Sequence, residues 1–114
     1  MESLRPRDPA NELYDRACDV LAASLALRDA STSTGAVPSA AATLGCLEAA
    51  FEEIAGAVGE LRTALYNADL ADVLERRRAA RRFDDLRRDL RAVQTSAARS
   101  RQATGRLLEP REAA

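Results

Sequence analysis

The chain has 114 residues, enough for one domain and too few for two independent cores. Apolar residues make up 46% of it and charged residues 31%, with a formal net charge of −1. Ala (25) and Leu (15) far outnumber Val (five) and Ile (one). Ala, Leu, Arg and Glu lose little conformational freedom in a helix, so this mixture predicts an all-α fold and argues against an all-β or doubly wound one. His is absent, which removes the commonest general base and the commonest zinc ligand. With no Trp, two Phe and two Tyr, stacking platforms for single-stranded nucleic acid are poorly supplied. No window carries the ~18 apolar residues of a membrane span, and the start lacks the apolar run of a signal peptide. These features place the protein in the cytoplasm, with Cys18 and Cys46 as reduced thiols at the edge of the core.

The first predicted helix spans about residues 9–29, with Asp8 as its cap and Pro9 in the favoured first position. Leu13, Tyr14, Ala17, Val20, Leu21, Leu25 and Leu27 occupy an arc of about 180° on its wheel, wide enough for two neighbours. A polar stretch with Gly35 and Pro38 makes residues 30–38 a loop.

The second helix, about 39–66, carries the clearest pattern. Leu44, Leu47, Phe51, Ile54, Val58, Leu61 and Leu65 alternate three- and four-residue steps, the spacing of a coiled-coil-like seam. Phe51, Ile54, Val58 and Leu61 are expected to be buried. Cys46, Ala50, Ala57 and Ala64 run beside that seam. Gly45, Gly56 and Gly59 cluster with Ala41 and Thr63 largely opposite it, where a backbone could approach closely.

A turn at 67–69 follows, with Asn67 ending one helix in a left-handed conformation and Asp69 capping the next. The third helix, about 69–104, has a stripe of Ala79, Phe83, Leu86, Leu90, Val93 and Ala97. Leu70, Val73 and Leu74 lie roughly 100–180° away from it. Without the turn, helices two and three would form one rod of about 60 residues; Asp72, Glu75 and Arg76 interrupt the rod's seam and favour a hairpin. Gly105 reads as a stop, leaving 105–114 as a frayed tail.

Charge is unevenly spread. Residues 36–69 hold one Arg and five acids, whereas residues 70–114 hold twelve Arg and seven acids. An acidic second helix beside a basic third one favours antiparallel neighbours, within the chain or between chains. Arg76, Arg77, Arg78, Arg81 and Arg82 are the candidate contacts to a phosphate backbone. Interleaved acids argue for a self-paired solvated face instead, through Asp72–Arg76, Arg81–Asp85 and Asp84–Arg88.

No nucleophile–base pair, metal-carboxylate set or phosphate loop is present, so the chain reads as non-catalytic, with no cofactor, metal or small-molecule substrate. The expected architecture is an up-down-up three-helix antiparallel bundle with coiled-coil-like packing, dimerising into a larger helical bundle. The expected function is protein–protein interaction, with a homodimer or another helical protein as partner and no membrane. Its candidate interface comprises Leu61, Leu65, Leu70, Val73 and Leu74, with Gly45, Gly56 and Gly59 as a second close-approach face. Nucleic-acid binding through the Arg run is the alternative.

Overall fold

A computed structural model describes residues 9–69 and 72–110. These residues are almost wholly helical, with three α-helices and no strand among them: α1 (Pro9–Ala30), α2 (Ala40–Asn67) and α3 (Val73–Leu108). Residues 1–37 and 38–114 form two compact units.

In the first unit, α1 matches its expected span, while the cap assigned to Asp8 lies outside the described residues. Its large apolar side chains are open: Leu13 and Val20 are 51% exposed and Tyr14 70%. Leu27 alone among its large apolar residues is half-buried. Beyond α1, Ser31 Oγ donates to the Leu27 carbonyl at 2.7 Å and Thr32 Oγ1 to that of Asp29 at 2.8 Å. The expected loop is more ordered than its composition suggested. Residues Thr34–Ser39 form a 3-10 helix, entered through a turn in which the Gly35 amide donates to Ser33 Oγ at 3.1 Å. Short polar side chains satisfy local backbone groups there, which is how Ser and Thr sustain such turns.

In the second unit, α2 and α3 pack together as an antiparallel hairpin, which excludes the continuous rod. The break sits later than the sequence suggested. Asn67 stays helical and Ala68 is extended (φ −73°, ψ 139°), so no left-handed residue ends α2. Asp72, not Asp69, caps α3 by accepting from the Leu74 amide. The last carbonyls of α2 find a donor across the turn: Arg76 Nη1 donates to Tyr66 O at 3.2 Å and Ala68 O at 3.1 Å. At the far end α3 continues through Gly105 to Leu108, because one Gly costs only about 1 kcal/mol and does not stop a helix that Pro110 alone blocks.

One register runs along the hairpin. Arg62 lies opposite Asp84, Gly59 opposite Arg87 and Gly45 opposite Arg101, each step back along α2 matched by the same step forward along α3. Among the described residues only Ala55 and Val58 of α2 and Ala80 of α3 are buried. Phe51, Ile54 and Leu61 are half-buried rather than buried, a correction with a geometric cause. The α3-facing side of α2 is rotated by roughly 40–50° from the middle of the Leu seam, toward Glu48 and Gly59. On α3 the shielded line runs Arg76, Ala80, Phe83, Arg87, Leu90, Gln94, with Leu86 and Val93 left 45% exposed. That is a rotation in the same sense, by roughly 60° from the apolar stripe. A single partner helix covers one flank of each stripe and leaves the other open.

Candidate interaction surfaces

The two rotations have one consequence. Residue angles advance in opposite senses on antiparallel helices seen from one end, so stripes displaced backward by similar angles turn toward the same side. Ile54, Leu61, Leu86 and Val93 therefore line one open apolar face of the hairpin. The opposite face is polar. There Arg62 Nε and Nη2 donate to the two carboxylate oxygens of Asp84 at 3.2 and 3.4 Å, and Arg101 Nε donates to Glu48 Oε2 at 2.8 Å. The Arg62 guanidinium also lies 5.4 Å from the centre of the Tyr66 ring. Both ion pairs are partly exposed, so they fix register more than they stabilise.

The glycines are not a separate face opposite the seam. Gly45 and Gly59 lie beneath α3 side chains: a Cβ on Gly59 would meet the Arg87 guanidinium at 3.1 Å, and one on Gly45 would meet Arg101 Cδ at 3.3 Å. The missing side chains make room for two arginines that cross the hairpin. The buried Nε of Arg87 has no hydrogen-bond partner. Gly56 differs, with nothing within 4 Å of its would-be Cβ. Gly56→Ala should therefore stabilise the hairpin by about 0.5–1 kcal/mol, the usual helix gain. Gly59→Ala should gain less, because Arg87 has to move. Denaturant titration of both variants checks the order; equal gains would remove the glycine–arginine fit.

The Arg run is divided by the fold. Arg76 is half-buried and engaged at the turn, whereas Arg77, Arg78, Arg81 and Arg82 are exposed. The expected helical pairs are replaced: Asp84 takes Arg62 of α2, Asp85 pairs with Arg88 at 3.2 Å, and Asp72 serves as a cap. Arg62, Arg87 and Arg101, which knit the hairpin, were not singled out from sequence. Their signal is present nonetheless, since Gly45 and Gly59 stand two heptads apart and so do Arg87 and Arg101.

Around the turn, Leu65 is 38% exposed, Tyr66 39%, Val73 51% and Leu74 54%. Leu61 is half-buried, and Leu70 lies outside the described residues. Val73 and Leu74 sit more than ~100° around α3 from Leu86, so the proposed patch does not form one continuous face. Cys18 and Cys46 are both exposed free thiols rather than residues at the core edge. Among the described residues no helix is long and apolar enough to cross a membrane, and no group of three or more Cys, Asp or Glu is arranged to hold a metal. The open depressions of the polar face, one bordered by Arg62, Arg77 and Arg81 and the other by Glu48, Gln94 and Arg101, expose both apolar and charged groups. No known family model matches the chain, and no curated protein or solved structure is detectably similar to it.

Proposed function

We propose that the chain is a non-catalytic helical protein–protein interaction module of the cytoplasm, with a second copy of itself as its partner. In this reading its three helices belong to an up-down-up bundle with coiled-coil-like packing that dimerises into a larger one. The observation that carries it is the open apolar side of the α2–α3 hairpin, where Leu86 and Val93 are each 45% exposed beside half-buried Ile54 and Leu61. Full burial of a Leu or Val side chain is worth about 1.5–3 kcal/mol, so a contiguous row of them favours association. Sedimentation across micromolar concentrations is the direct test. A dimer is expected; a 12.3 kDa species throughout overturns self-association.

The four exposed arginines Arg77, Arg78, Arg81 and Arg82 support nucleic-acid contact as a second reading. Arg76 is spent on the turn and Arg62 on Asp84, which leaves a smaller basic surface than the sequence count implies. No appreciable DNA or RNA binding is expected near 150 mM salt. Tight binding there, with a steep salt slope, would put the second reading first.

A further inference from the structure

The open face of the hairpin carries two self-complementary patterns, and they share a centre. On α2, Ala57 and Ala64 flank Leu61, four residues before it and three after; both Ala are exposed. On α3, Arg82 and Asp89 flank Leu86 in the same way, four before and three after, and both are exposed. Neither Arg82 nor Asp89 forms an ion pair among the described residues. They stand two turns apart, roughly 10 Å along the helix, too far to bond each other directly. The register that sets Arg62 opposite Asp84 and Gly59 opposite Arg87 brings the midpoint of Ala57 and Ala64 level with the midpoint of Arg82 and Asp89.

We propose that two copies of the chain pack hairpin face against hairpin face about a two-fold axis that crosses α2 beside Leu61 and α3 beside Leu86. This rests on the self-association reading and specifies its surface. A two-fold axis perpendicular to both helices pairs α2 with the second copy's α2 and α3 with its α3, antiparallel in each case. Positions equidistant from the axis then meet. Ala57 faces Ala64 of the other copy, so small side chains flank the α2–α2 contact on its outer side, and Leu61 and Leu86 of both copies fill one central layer. Arg82 of each copy faces Asp89 of the other, giving two ion pairs by symmetry, as an isologous interface requires. Charge complementarity thus selects a second copy over an unrelated apolar helix, which would leave both charges unmatched.

Charge exchange tests the arrangement in the full-length chain. Arg82→Asp alone and Asp89→Arg alone each place like charges across the axis twice, and should weaken the dimer by on the order of tenfold or more. Both positions are exposed, so helical content by circular dichroism should be unchanged. Mixing the two single variants should form a heterodimer, because each supplies the charge the other lacks. The double variant Arg82→Asp/Asp89→Arg should recover self-association. If wild type is a dimer and the single variants remain equally tight dimers, this surface is wrong and self-association stands on another. A wild-type monomer, whose apolar face is then covered within the chain or by a different protein, overturns both. Loss of association in the single variants without rescue on mixing also overturns the proposed pairing.

Discussion

Val58→Asp is expected to abolish cooperative unfolding of the hairpin, with a loss of about 3 kcal/mol or more. Val58 is one of three buried residues among those described and faces α3 from the second half of α2. A carboxylate there must either stay ionised without a partner or take up a proton, and both cost free energy. Two nearby arginines are already engaged: Arg62 holds Asp84 and Arg87 covers Gly59. Val58→Ala removes the same contacts without the charge and should cost less, on the order of 1–2 kcal/mol. Thermal melts followed by circular dichroism separate the two. A Val58→Asp protein that melts like wild type would mean that the α2–α3 contact contributes little.

Arg76→Ala should cost about 1.5–3 kcal/mol, the range for hydrogen bonds from a charged donor, and should loosen the turn. Its guanidinium serves the Tyr66 and Ala68 carbonyls, which no intrahelical amide can satisfy at the end of α2. Those carbonyls keep some access to water, so the lower half of the range is the expected result. Arg77→Ala, one residue along on an exposed position, is the control and should stay within about 0.5 kcal/mol. Limited proteolysis adds a local readout, with cleavage around residues 68–72 rising in Arg76→Ala and not in the control. Equal effects of the two substitutions would return Arg76 to the basic surface and enlarge the nucleic-acid reading.

Much of the local structure was legible because it depends on neighbours in sequence. The bounds of α1 and α2 agree with the sequence reading to within a residue at each end. Errors fell where two signals compete. Asp69 and Asp72 are both sound caps, and Arg76 decides between them by bonding the end of α2, a contact no local rule contains. Gly105 looked like a stop because glycine is common after helix ends, yet the chain needs no left-handed residue there. The Asp84 partner was missed for a related reason. Helical spacing offered Arg88, whereas the packed neighbour Arg62 presents a two-pronged donor to both carboxylate oxygens.

The sequence by itself determined that the chain is helical, where its long helices run, and that α2 and α3 each carry an apolar stripe, since propensity and periodicity act over a few turns. Tertiary structure alone decided which flank of each stripe is covered. A stripe wider than one helix contact admits a range of rotations. The choice among them is set by the fit of Arg87 and Arg101 over Gly59 and Gly45 and by the Arg62–Asp84 and Arg101–Glu48 crossings. Those contacts turn both stripes toward one side, which is why Leu86 and Val93 are exposed while Arg87 is half-buried. Periodicity counts apolar side chains and cannot see that a glycine on one helix makes room for an arginine of the other.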